Sequence, residues 1–179
     1  FGISGEKAAK SMDLLARQLK LTDKDLDKLF VSYTEIIFAQ QDVGVSAKKL
    51  ADDFSKSYDK LTKVTGDLVD SFLQLEKISK GVGIGIDRIL TITEKYDTFE
   101  GAAQQVTKLN AALGQQLSIM DMVEADPEEQ FEMIREAILN TGLEFSSLTK
   151  AQKQFYSEAA NLAGPTELML LLNGELDDH

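Results

Sequence analysis

The side chains that most often carry catalysis are almost missing from this sequence of 179 residues. It contains no cysteine and one histidine, His179, which is its last residue. These counts exclude a thiolate nucleophile, an ordinary zinc site and a histidine-based acid/base triad. No serine lies in a Gly-x-Ser-x-Gly elbow. We predict that the chain is not an enzyme, has no catalytic residues, and binds no metal and no cofactor.

One group of acidic residues has the spacing of metal ligands. Asp23, Asp25 and Asp27 match the start of a calcium-binding loop. The match fails because Lys28 occupies the position of the required glycine and Thr34 that of the bidentate glutamate. We interpret these carboxylates as the first turn of a helix, where the helix dipole favours them.

The negative charge of the chain is concentrated in its second half. The formal net charge is −11, and residues 100–179 contain 14 acidic but only 4 basic side chains. Such a surface repels phosphate backbones, so we predict no nucleic-acid recognition. The longest wholly apolar run has five residues, 168–172, against the ~20 that a bilayer requires. We predict no transmembrane span.

The spacing of apolar residues is helical almost throughout and predicts an all-α fold. The longest pattern covers residues 47–79, with Ser46 as its N-cap. Within it, Phe54, Leu61, Leu68 and Leu75 recur every seven residues, which is typical of a coiled-coil seam. The seam is either an intrachain core or a contact between chains. We assign these four residues to a partner interface.

A glycine-rich segment follows the long pattern. Gly81, Gly83 and Gly85 alternate with apolar residues, and glycine gives the backbone unusual freedom. The spacing fits neither a dinucleotide-binding fingerprint nor a P-loop. We predict a hinge at these three glycines.

Shorter helices are predicted after the hinge. Asp126 and Glu129 resemble a capping box at one helix start, and Phe155 falls on the inner face of a later helix. The last helix, over residues 166–173, is apolar nearly all round and needs burial by this chain or by a partner. Three of its residues are assigned to the partner interface: Leu168, Leu171 and Leu172.

Together these patterns predict an elongated, multi-helix, all-α segment. A coiled-coil-like part occupies residues 1–80, the hinge residues 81–86, and an acidic helical domain residues 87–179. Because the sequence begins with Phe1 rather than methionine, we expect it to be part of a longer polypeptide.

Residues 87–176 resemble the tail tape measure proteins of tailed bacteriophages, notably contractile-tailed ones. The resemblance rests on an ordered series of strings: YDTFEGAA at 96–103, KLNAALG at 108–114, FEMIR at 131–135, TG at 141–142, FSSLTKAQK at 145–153, AANLAG at 159–164 and ELMLLLNGE at 167–175. None of these strings is a catalytic signature.

The resemblance implies a structural virion component. Tape measure proteins are long and mostly helical, occupy the tail-tube lumen in several copies and set tail length during assembly. They contact the tail tube and the baseplate hub or tail tip, and leave the tail ahead of the DNA. The implied location is therefore the virion, after assembly in the host cytoplasm. The alternative is a cellular helical adaptor or sensor with residues 47–79 as a coiled-coil stalk.

Overall fold

The computed structural model of the chain describes residues 44–174 together with residues 27, 28, 31, 32, 34–36 and 39. Within these residues every regular element is an α-helix or a short 3-10 helix, and none is a strand. The predicted all-α class is confirmed. Contacts divide the chain into two compact units, the first ending at Lys77 and the second beginning at Ile78. The sequence places this division slightly later, at residues 81–86.

Two helices dominate the described part of the first unit. Helix α1 spans Ala47–Val64, and helix α2 spans Leu68–Val82, so that α2 continues into the second unit. Ser46 caps α1 as predicted, because its hydroxyl accepts a hydrogen bond from the amide of Lys49 at 3.2 Å. Asp23 and Asp25 of the calcium-like spacing lie outside the described residues.

A short break separates α1 from α2 where the sequence predicts one continuous helix. Thr65 is extended, and its hydroxyl accepts a hydrogen bond from the amide of Asp67 at 3.2 Å. The Asp67 carboxylate in turn accepts one from the amide of Asp70 at 3.2 Å. Such side-chain hydrogen bonds compete with the backbone hydrogen bonds of a helix. Gly66, which lies between Thr65 and Asp67, also has a low helix propensity. The prediction of a single long helix over residues 47–79 is therefore wrong.

Aromatic rings hold α1 and α2 together in the first unit. The ring of Phe54 meets that of Phe72 edge to face at 5.2 Å between centroids, and that of Tyr58 at 5.6 Å. Edge-to-face contacts of this kind add to the stabilisation that burial alone provides. The large apolar side chains of these two helices that have no solvent exposure are Leu50, Phe54, Leu61, Phe72 and Leu75.

The second unit packs six further α-helices and a 3-10 turn around one core. The elements are α3 Ile86–Glu94, α4 Phe99–Leu113, α5 Ile119–Glu124, α6 Pro127–Leu139, the 3-10 turn Phe145–Ser147, α7 Lys150–Ala159 and α8 Pro165–Asn173. Helix α3 packs on α6, α4 contacts α5 and α7, and α8 contacts α6, α7 and the 3-10 turn. The core residues without exposure include Ile89, Ile92, Tyr96, Leu109, Phe131, Ile134, Leu168 and Leu171.

Local capping explains where several of these helices begin and end. Thr149 starts α7 with a complete capping box, its hydroxyl and the side chain of Gln152 each bonding the other's backbone. Gly114 ends α4 in the left-handed conformation, with φ 66°. Asp126 precedes Pro127 as expected, but its side chain makes no capping hydrogen bond. The predicted capping box at Asp126 is therefore wrong.

The glycine-rich segment is shorter than predicted and is packed. Gly81 lies inside α2, so it does not belong to the break. Gly83 has φ +84°, which a side chain would resist, and Gly85 is the N-cap of α3. Val82 and Ile84 beside them are only 2% and 3% exposed. The hinge role of Gly83 and Gly85 stays a prediction.

Candidate functional site

The predicted seam of the first unit lies in the core of the chain. Phe54, Leu61 and Leu75 have no solvent exposure, and Leu68 is half-buried. A side chain that is fully covered by its own chain has no surface left for a second copy. Of the two interpretations that the sequence leaves open, the structure thus favours the intrachain core. Only part of Leu68 remains available to a partner.

The apolar helix α8 is likewise covered by its own unit. Leu168 and Leu171 have no exposure, while Leu172 is half-buried. The covering elements are α6, α7 and the 3-10 turn. Other elements of this chain therefore bury the apolar side chains of this helix, so a partner is not needed for that purpose. Assigning Leu168 and Leu171 to a partner interface does not agree with this packing.

A two-bond ion pair joins α3 to the start of α8. Arg88 donates from Nε and from a terminal nitrogen to the two carboxylate oxygens of Glu167, at 2.8 and 2.9 Å. Glu167 also accepts the amide of Ala163 at 2.7 Å. The Arg88 guanidinium lowers the pKa of Glu167, and the carboxylate raises that of Arg88. The Glu167 side chain is 13% exposed, so this pair is more sheltered than an ordinary surface pair.

Buried amides secure the turn after α7. Asn161, with φ 62°, donates its side-chain amide to the carbonyl of Ile92 at 3.1 Å. Gln105 of α4 donates to the carbonyl of Ala159 at 2.7 Å. These bonds satisfy carbonyls in the last turn of α3 and at the end of α7 that burial would otherwise leave unpaired. The AANLAG string is therefore a packed turn.

Two polar side chains of α6 reach other elements of the second unit. Gln130 has no exposure and donates to the carbonyl of Met122 at 2.9 Å and to the carboxylate of Asp97 at 3.2 Å. Burial raises the pKa of Asp97, which this hydrogen bond partly offsets. Arg135 donates to the carbonyl of Gly174 at 2.6 Å. Both side chains therefore connect α6 to other parts of the second unit.

The YDTFEGAA string forms the corner between α3 and α4. Tyr96 has no exposure, and its burial raises the pKa of the phenol. Thr98 caps α4 by accepting the amide of Gly101 at 3.1 Å. A β-carbon on Gly101 would overlap the carbonyl oxygen of Lys95, so glycine is required for this close approach. Helical periodicity alone does not reveal these roles.

An acidic groove lies between α5 and α6. It has a volume of about 410 Å³ and is lined by Asp121, Glu124, Ala125, Glu129, Glu132, Met133 and Glu136. Burial, and then the charges of Glu129 and Glu136, raise the pKa of Glu132. Nearby, carboxylate oxygens of Asp126, Glu128 and Glu129 lie within 4.8 Å of one another. Carboxylates are the ligand type of calcium and magnesium, but exposed acidic groups of this kind also occur simply as solvated surface.

One aromatic side chain of α7 is exposed, and half-buried aromatic rings lie on and beside this helix. Phe155 is 54% exposed and meets the ring of Tyr156 at 5.4 Å. The ammonium group of Lys153 lies 4.4 Å from the ring centre of Phe145, in a cation–π contact. The prediction that Phe155 faces inward is therefore wrong. This face and the acidic groove are candidate contact surfaces, which the periodicity of single helices did not reveal.

No helix in the described part of the chain is long and apolar enough to cross a membrane. Comparison with protein-family models, with curated proteins and with solved structures finds no match to this chain. The functional assignment therefore depends on the resemblance of the strings and on the geometry described above.

Proposed function

We propose that this chain is a structural, non-catalytic part of a bacteriophage tail tape measure protein. The observation that carries the proposal is the ordered series of resembling strings over residues 87–176. All of them fall within the unit that begins at Ile78. Their polar residues hold the short helices of that unit together, as Glu167 does for α8. A series of strings that builds one folded unit is better support than isolated matches.

The charge of the chain is compatible with this role. Residues 100–179 contain 14 acidic and 4 basic side chains, and a negative surface does not adhere to DNA. A protein that leaves the tail tube ahead of the DNA must not be retained by it. The proposed partners are further copies of the chain, the tail tube and the baseplate hub or tail tip.

Within such a protein, we assign this segment to a folded part rather than to the length-setting stretch. Its longest described helix, α1, has 18 residues, which corresponds to about 27 Å. Each unit is compact, and the α-helices among the described residues of both units are short. A ruler made of one continuous helix needs much longer uninterrupted segments.

The location of the protein tests the proposal. Intact virions and virions that have ejected their DNA are purified, and peptides of this chain are quantified by mass spectrometry against a tail-tube subunit as control. We expect the chain in intact virions and at least a several-fold loss after ejection, while the tube subunit is retained. Absence from virions, with expression in cells that make no tails, would support the cellular adaptor instead.

An in-frame deletion distinguishes a folded part from a ruler. Residues 87–176 are removed from the gene, and tail lengths are measured by electron microscopy. A continuous helical ruler of 90 residues would shorten every tail by about 135 Å. We expect loss of complete tails, or tails of unchanged length, because a folded unit sets no distance. A uniform population shortened by about 135 Å would contradict the assignment to a folded part.

A further inference from the structure

A glutamate is fully buried between the two helices of the first unit. The side chain of Glu76, on α2, is 1% exposed, and neither of its carboxylate oxygens accepts a hydrogen bond. An ionised carboxylate without donors is highly unfavourable in such a place. A buried acid of this kind responds by binding a proton.

The neighbours of Glu76 on α1 reinforce this tendency. The ammonium group of Lys49 lies 3.9 Å from Oε2 of Glu76, which is beyond hydrogen-bond distance. It lies 2.5 Å from Oδ2 of Asp53, to which it donates. Asp53 is therefore a close neighbour of Glu76, because both carboxylates lie within 3.9 Å of the same ammonium group. The Lys49 ammonium group therefore lies near both carboxyl groups but donates its hydrogen bond to Asp53.

We propose that Glu76 is protonated at neutral pH and donates this proton to the carboxylate of Asp53, so that a single shared proton holds α2 against α1. In this arrangement Asp53 accepts from Lys49 on one side and from Glu76 on the other. Two carboxyl groups so close together share one proton because they resist ionising together. Loss of the proton places a negative charge on the buried Glu76 beside the negative charge of Asp53, and it loosens the first unit.

The direction of the pH effect follows from this arrangement. Burial, followed by the neighbouring Asp53, raises the pKa of Glu76 to about 8, whereas an unfolded glutamate has a pKa of about 4.3. The folded state thus binds the extra proton between these two values, and the stability of the first unit falls as the pH rises through that interval. The other described charged residues before α1, which are Asp27, Lys28 and Glu35, are exposed.

Carbon-13 NMR of the side-chain carboxyl carbons tests the proposal on the whole 179-residue chain. We expect one glutamate signal to titrate above pH 7, and this signal to be missing from Glu76→Gln. Thermal unfolding, followed by circular dichroism, should shift to lower temperature between pH 5 and 8 in the unaltered chain. In Glu76→Gln this shift should be much smaller, because the amide cannot ionise. A chain in which every glutamate titrates below about pH 5.5 refutes the proposal.

Two further variants keep the test decisive if Glu76→Gln does not fold. Asp53→Asn removes the neighbouring charge and should move the Glu76 titration to lower pH. Asp52→Asn removes an exposed carboxylate from the adjacent position of the same helix and should leave it unchanged. Equal effects of the two variants would overturn the role of Asp53. The proposal concerns the first unit alone and is independent of the tail function.

Discussion

The ion pair between Arg88 and Glu167 should stabilise the second unit through a measurable interaction energy. A double-mutant cycle isolates it, with Arg88→Met, Glu167→Gln and the combination of both. The pair has two charge-assisted bonds of 2.8 and 2.9 Å, each of a type worth about 1.5–3 kcal/mol when sheltered. Because the Arg88 side chain is 35% exposed, solvent screening reduces this, and we expect a coupling of about 1–2 kcal/mol.

The assay must report on the second unit alone, since global unfolding would combine both units. Hydrogen exchange of peptides from α3 and α8, measured by mass spectrometry, gives the local opening energy. The control is the pair Asp59–Lys63 on α1, measured by exchange of α1 peptides; its charged atoms lie 3.3 Å apart, and its side chains are 59% and 70% exposed. Its cycle should give at most about 0.5 kcal/mol. A coupling below about 0.3 kcal/mol for Arg88–Glu167 would refute the reasoning.

The pH dependence of this coupling has a definite sign. Arg88 lowers the pKa of Glu167 in the folded state. A depressed carboxyl pKa contributes stability above the unfolded value of about 4.3, and this stability is lost as the pH falls through the folded value. The coupling should therefore be constant near neutral pH and disappear in acid. A coupling that persists when Glu167 is protonated would indicate packing rather than charge.

Three other predictions follow from burial, glycine geometry and charge. Leu61→Lys should abolish folding of the first unit, because an unpaired charge at a fully buried site costs several kcal/mol, whereas Leu68→Lys at a half-buried site should cost less. Circular dichroism and sedimentation would compare the two variants, and a folded monomer of Leu61→Lys would contradict the intrachain core. Gly101→Ala should destabilise the second unit by about 1–3 kcal/mol, because the added β-carbon overlaps a backbone oxygen. In the control Gly66→Ala the added β-carbon has no atom within 4 Å, and the melting temperature should change little. The whole chain should not bind duplex DNA at physiological salt in fluorescence anisotropy, and micromolar binding would contradict the charge argument.

Local signals in the sequence predicted much of the helical framework. Ser46 caps a helix as predicted, because a cap acts on backbone groups within a few residues; Thr149 and Gly114 act in the same local way. The apolar spacing did not predict the break after α1. The seven-residue pattern continues in phase through Leu68, so periodicity gave no warning. The hydrogen bonds of Thr65 that end the helix depend on geometry that spacing does not encode.

The candidate site was less accessible from the sequence, because its contacts join residues far apart in the chain. Arg88 and Glu167 are separated by 79 positions, and Asn161 and Ile92 by 69. Periodicity within one helix says nothing about such pairs. One signal was present: Gln105 is a polar residue on the otherwise apolar face of α4 and is 5% exposed. A polar residue at such a position indicates a buried hydrogen bond.

The hydrogen bonds around α8 indicate how the resembling strings stabilise the fold. Nine residues are too few for a stable isolated helix, since the limit is about 12–15. Helix α8 is held at its start by Glu167, which binds Arg88 and the amide of Ala163, and at its end by Gly174, which accepts from Arg135. Glu167 and the C-cap residue Gly174 both belong to the ELMLLLNGE string. Because these hydrogen bonds hold both ends of α8 in place, we expect substitutions of Glu167 or Arg135 to lower the stability of the second unit.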